Sequence, residues 1–199
     1  MAVHLALITV GVLIALSFEG VASWREHRAL VREARLNLTN ELRDNVKELS
    51  NRLQKLPEEK QNLEHALDVA QRLADRKNFE QLKGSMSVQL GFTTADLRSA
   101  SRTTAEVTGA FGLMDYDEVK KYATVYGHQD LYMRFSSDAM QNLSRTLATV
   151  GIFEHPESAS AREFEDCKAQ IRLALAGLIT EEQLGQSLLK EYQSVLQEH

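Results

Sequence analysis

Cysteine and proline are scarce in this chain, and its basic residues are outnumbered by its acids. Its 199 residues include one cysteine, Cys167, so no internal disulfide framework and no cysteine-based zinc site can form. Cys167 reads as a small buried apolar residue, with an intermolecular disulfide as the alternative. Only two prolines, Pro57 and Pro156, and ten glycines interrupt a composition rich in Leu, Ala, Glu, Gln and Arg, which predicts long helices. Lys and Arg number 23 against 28 Asp and Glu, a net charge of −5, so nucleic acid is not an expected partner. No run alternates apolar and polar residues over the length of a strand between turn signals. With 43% apolar and 26% charged residues the composition is that of a folded domain with a sizeable core.

Recognisable catalytic patterns are missing as well. None of His4, His27, His65, His128, His155 and His199 shares a helix face with a second His or with a Glu three residues before it. The sets that build di-iron and zinc sites on helices are therefore absent from the sequence. Gly-x-Gly-x-x-Gly, the phosphate-binding loop and Gly-x-Ser-x-Gly do not occur. The acidic pairs Glu58-Glu59 and Glu181-Glu182 read as first-turn residues favoured by the helix dipole. No catalytic residue, metal ligand or cofactor is expected, and the chain reads as a non-enzyme.

What is present begins with an apolar run. From Ala2 to Phe18 the only polar side chains are His4, Thr9 and Ser17. As a helix those residues span about 25 Å, and counting on to Trp24 reaches the roughly 30 Å of a bilayer core. Glu19 then sits near one boundary and Trp24 at the interface, with Arg25, His27 and Arg28 just outside it. Three readings compete: a retained membrane anchor, a signal peptide cut after Val21-Ala22-Ser23, and the apolar end of a buried helix. A signal peptide would carry Lys or Arg before its apolar run, and a buried helix of a soluble domain would show a polar face. The helical period also continues without a break past Ser23. The expected organisation is an anchor over 1–24 and a helical bundle over 25–199.

Beyond the anchor, Leu42, Val46, Leu49, Leu53 and Leu56 step by four and three, a heptad seam. Pro57 is expected to end this helix and start a second, whose Leu63, Ala66, Ala70 and Leu73 fold back over the seam as an antiparallel hairpin. Gly84 to Gly91 reads as a loop. Thr93 to Asp96 resembles a capping box for a third helix with Leu97, Ala100, Thr104, Val107 and Phe111 inward. Gly112 breaks that pattern, Asp115 or Asp117 caps a fourth segment, and Gly127 is a candidate kink. Gly151 to Pro156 marks a turn. A further helix carries Phe164, Cys167, Ile171, Leu175 and Leu178. Thr180-Glu181-Glu182-Gln183 reads as the capping box of a last helix with Leu184, Leu188, Tyr192 and Val195. The predicted fold is all-α: a transmembrane helix continuous with a long amphipathic helix, then an antiparallel bundle.

The stretch from Thr108 to Phe135 is unusual in holding Tyr116, Tyr122, Tyr126 and Tyr132, four of the five tyrosines. Two readings stay open: a ligand pocket or partner surface with hydroxyl-bearing aromatics, or a bundle core with the rings buried and the hydroxyls at its rim.

The opening residues 4 to 35, through Gly11 to Leu16, Trp24 and the basic helical stretch Arg25 to Arg35, resemble a group of uncharacterised bacterial membrane proteins. Their chains begin with a Gly-(Val/Ile)-Leu-Ile-Ala-Leu span followed by an aromatic and a basic helical stretch. The later "TGAFGLMDYDEVKKY" is similar to a segment such proteins carry. The resemblance covers about a quarter of the chain. It implies a single-span, helical protein of the bacterial inner membrane and brings no activity with it. The expected partners are the lipid bilayer and other membrane subunits or further copies of the chain. Arg25, Arg28, Arg32 and Arg35 after the span, with no Lys or Arg before it, favour a cytoplasmic bundle, whereas the short N-terminus and its signal-like look argue for the other side. Three functions follow as expectations: a non-catalytic scaffold or accessory subunit, a ligand-sensing bundle acting through a partner, and an enzyme of unknown type.

Overall fold

The helix α1 runs from Ala2 to Ala74, 73 residues, and passes through Pro57 without ending. The expected stop and hairpin at Pro57 are thereby corrected. A proline here removes one backbone hydrogen bond and presses its ring toward the carbonyl of Leu53, at a cost of about 3 kcal/mol. The Pro57 ring is exposed, so it displaces no packed neighbour. On the opposite face one buried stripe continues across it: Leu49, Arg52, Leu56, Glu59, Leu63, Ala66, Ala70 and Leu73, stepping by three and four. Each fully buried leucine contributes about 1.5–3 kcal/mol, so the stripe outweighs the proline. The Arg52–Glu59 ion pair, at 2.6 Å, clamps the helix across it.

The computed structural model describes residues 2–74, 88 and 90–197, without the side chains of 2–10 and 12–18. Among the described residues there is no strand, and the all-α expectation holds. Among them, too, no helix is long and apolar enough to cross a membrane. The apolar side chains of the span expected over 1–24 lie largely outside the described residues, so the span has no structural support. The expected loop around Gly84 and the terminal His199 also lie outside them.

After α1 come α2 (Ala100–Val107), a turn of 3-10 helix (Ala110–Leu113), α3 (Tyr116–Thr149), a single helical turn α4 (Gly151–Glu154) and α5 (Ala161–Gln197). They form two compact units, Met1–Leu42 with Arg98–Ala123, and Arg43–Leu97 with Thr124–His199.

In the first unit, Val31, Leu38 and Leu42 of α1 are buried, as are Ala105, Ala110 and Tyr122. The N-terminus of α2 is held by the buried Glu41, whose carboxylate accepts the Ser101 N–H at 2.8 Å. That anion at the open end of the helix replaces the expected capping box, and α2 starts later than Thr93. Of the expected inward face Leu97 is buried and Phe111 half-buried, but within the helix Ala105 is buried while Ala100, Thr104 and Val107 are exposed. Gly109, at φ 75°, provides the left-handed residue that ends the helix. Asp115 caps α3 as expected, its carboxylate accepting the Asp117 N–H at 3.0 Å. Gly127 does not end α3, whose 34 residues run from Tyr116 to Thr149.

The second unit is built on three long segments. α5 is one helix of 37 residues with a single buried stripe, Phe164, Cys167, Ile171, Ala174, Leu178, Glu181, Gly185, Leu188, Tyr192 and Val195. The expected break at Thr180 is absent, because its hydroxyl turns back to the Ala176 carbonyl at 3.0 Å instead of capping a new helix. α5 packs antiparallel to α1: Gly185 lies against Leu49 and Leu53, and Lys168 reaches Gln71. The heptad seam of α1 is thus covered by the C-terminal helix rather than by a hairpin partner. At one end of the unit Leu56, Leu63, Leu73, Leu143, Phe153, Phe164 and Ile171 form the apolar core.

Candidate functional site

The most buried positions of the α1 seam are not all leucine. Asn45, Arg52 and Glu59 lie seven residues apart on the stripe, each 7% exposed or less. Spacing of seven stacks them in one column, each level facing the helices packed around it. Every level is completed by side chains from distant sequence.

At the first level the Asn45 amide donates to Gln129 Oε1 at 3.1 Å, and the Tyr192 hydroxyl donates to the same oxygen at 2.7 Å. At the second, Arg52 grips Glu181 with two parallel bonds, Nε to Oε1 at 2.9 Å and Nη2 to Oε2 at 2.8 Å. Such fork-to-fork pairing fixes orientation as well as charge. Glu181 Oε1 also accepts from the Tyr132 and Ser136 hydroxyls, both at 3.1 Å. At the third level Arg52 Nη1 donates to Glu59 Oε2 at 2.6 Å. Glu59 Oε1 accepts the Thr93 N–H at 3.1 Å and its hydroxyl at 3.2 Å. The Arg52 and Glu181 side chains are only 2% and 1% exposed.

Burial opposes the charge on Arg52, but the hydrogen bonds to Glu181 and Glu59 override it and hold its pKa above the ordinary value. Burial pushes the Tyr132 hydroxyl up, and the neighbouring Glu181 charge adds to the shift. With four protein donors on Glu181 and three on Glu59, both carboxylates are engaged by the fold itself.

An open groove of about 510 Å³ lies beside the third level, lined by Lys55, Glu58, Glu59, Asn62, Leu90, Gly91 and Thr93. Lys60 and Glu182 close a partly buried ion pair at 2.6 Å. Neither acidic pair sits in a first helical turn. Glu59 and Glu181 lie mid-helix and hold Arg52, which corrects the dipole explanation given to them from sequence.

Tyr116, Tyr122, Tyr126 and Tyr132 do not share a surface. Tyr116 is 79% exposed, whereas Tyr122, Tyr126 and Tyr132 are buried, joined by Tyr192 from α5. In the first unit Tyr122 shares a hydrogen bond with Thr39 and is held above its ordinary pKa by burial. Its ring lies 6.3 Å from that of Phe111. Glu19 and Trp24 are exposed, as are Arg25 and Arg28, and the Arg28 guanidinium stands 4.8 Å over the Trp24 ring. Cys167 is buried and its thiol pushed up by burial, with a Thr149 hydroxyl contact at 3.4 Å.

The sequence reading placed Leu42, Leu49 and Leu56 correctly but missed the column because it filled the alternate seam positions with Val46 and Leu53, which are half-buried flanks, instead of Asn45 and Arg52. The available signal was the seven-residue recurrence of polar residues inside a leucine heptad, the pattern by which polar side chains specify helix register. Compared with protein families, with curated proteins and with solved structures, the chain matches none.

Proposed function

We propose that this chain is a non-catalytic scaffold or accessory subunit, anchored in the bacterial inner membrane by residues 1–24 and presenting its helices on the cytoplasmic side. The observation that carries the reading is the continuity of α1. One helix takes the run Ala2 to Phe18, which holds no Asp, Glu, Lys or Arg, into the stripe on which α5 packs. At the junction Val21 is 52% and Trp24 56% exposed, apolar side chains that water does not favour and a membrane interface does. Arg25, Arg28, Arg32 and Arg35 follow, suited to anionic headgroups and to retention inside. A non-catalytic role is supported by the polar column, whose ionisable groups are spent on one another to set helix register. Its partners are the bilayer and other membrane subunits or further copies of itself.

The test is alkaline extraction of membranes from cells making the full chain or residues 25–199. The full chain should stay in the membrane pellet and the truncated chain should leave it. Release of both would overturn the anchor. Reporter fusions at His199 decide the side, and crosslinking before purification from native membranes identifies the partners.

A further inference from the structure

The first unit exposes a second apolar feature at the end that carries Trp24. Two contacts set its direction. Arg35 pairs bidentately with Glu118, both bonds at 2.7 Å, and Thr39 bonds Tyr122, so α3 begins alongside α1 and runs parallel to it. Beside α1, α2 runs the opposite way, from Ser101 at the level of Glu41. It ends at a groove of about 260 Å³ that Thr108 lines together with Leu30. The corner joining α2 to α3 therefore points toward the N-terminus of α1. At 1.5 Å per residue, Leu30 lies about 9 Å along the helix from Trp24.

The corner itself, Val107 to Tyr116, reads "VTGAFGLMDY" and holds a single charge, Asp115. Val107 is 82%, Tyr116 79% and Leu113 41% exposed. A turn that faces only water is ordinarily built from polar residues, and three large exposed apolar side chains in ten residues depart from that.

Resting on the anchor reading above, we propose that this corner is a second membrane contact. Leu113 and Val107 dip into the headgroup layer of the bilayer that holds α1, and Tyr116 lies at the interface. Each headgroup layer is roughly 5–8 Å deep. A span tilted by the usual ~20° lowers one side of the emerging helix toward it. The basic residues Arg25 and Arg28, between the Trp24 level and the corner, meet anionic headgroups on the way. Tyrosine suits such a position because its ring is apolar and its hydroxyl wet. Two contacts, the span and the corner, hold the first unit against rotation about α1, which a span alone leaves free.

Quenching by brominated lipid tests this. Trp24 is the only tryptophan, so the native chain reports on the anchor. The full chain is reconstituted in phosphatidylcholine–phosphatidylglycerol vesicles whose lipids carry bromine high on the acyl chain. Two variants with Trp24→Phe carry either Leu113→Trp at the corner or Leu173→Trp, an exposed position of α5, and circular dichroism checks their helicity. Emission from Trp24 and from the indole at position 113 should each fall roughly two-fold, and that at position 173 should not change. If Trp24 is quenched and position 113 is not, the anchor stands and the corner contact is wrong. If position 113 is instead shielded from aqueous iodide without bromolipid quenching, a protein surface covers the corner, and the lipid assignment is overturned. Equal quenching at 113 and 173 overturns it too, as general adhesion. If Trp24 itself is unquenched, the anchor reading fails, and this one with it.

Discussion

Arg52 and Glu181 stand 129 residues apart in the chain and meet in a two-pronged ion pair with almost no solvent exposure. Arg52 simultaneously holds Glu59 on its own helix. Two carboxylates around one guanidinium leave the cluster short of positive charge. Its hydroxyl and N–H donors, from Tyr132, Ser136 and Thr93, spread the remaining negative charge. In such a cluster desolvation offsets most of the attraction, so losing one partner costs more than the intact set contributes.

Breaking the cluster on one side should therefore be severe. Arg52→Met leaves two carboxylates buried without their cation and should lower unfolding stability by about 3–5 kcal/mol. Adding Glu59→Leu and Glu181→Leu to the same chain should restore much of that loss, since an apolar replacement needs no partners. Urea titrations followed by circular dichroism measure both. A single variant as stable as the native chain would show that the cluster is solvated.

Two glycines should respond oppositely to alanine. A Cβ on Gly185 would meet Leu53 Cδ2 at 3.0 Å, Tyr132 Cε2 at 3.2 Å and Leu49 Cδ1 at 3.4 Å. Gly185→Ala should cost about 1–3 kcal/mol through overpacking, despite the better helix propensity of alanine. Gly127 is helical, exposed and has nothing within 4 Å of its would-be Cβ. Gly127→Ala should stabilise by about 0.5–1 kcal/mol. Thermal melts of both variants settle the pair, and equal effects would contradict the close approach of α5 to α1.

The start of α5 should loosen in acid. Glu163 accepts the Ser160 N–H and hydroxyl, both at 2.7 Å, while the Glu163 N–H returns a bond to Ser160 Oγ at 3.3 Å. The backbone bond and then the hydroxyl bond favour the charged carboxylate and hold it below its ordinary value. The folded pKa is lower than the unfolded one, so the cap contributes above the ordinary carboxylate range and is lost as pH falls through the lowered value. An NMR titration should place Glu163 below a reference glutamate, and Glu163→Gln should remove the acid-dependent loss of Ser160 amide protection relative to its intrinsic exchange rate. A Glu163 that titrates at the reference value would refute the cap.

The all-α class, the heptad seam of α1, the Asp115 cap and the Gly151–Pro156 turn were legible in the order of the residues alone. Each is set by forces acting within a turn or two of one helix: periodicity, capping bonds and the scarcity of breakers. The tertiary structure decided the rest. Pro57 and Thr180 carry local stop and start signals, yet both lie inside unbroken helices. Signals of that kind are worth a few kcal/mol at most, and a buried stripe running through them outweighs that. Glu59 and Glu181 look like first-turn acids until Arg52 is placed between them. Whether a polar heptad position is a flaw or a lock depends on a partner 129 residues away, and only the folded chain brings that partner within bonding distance.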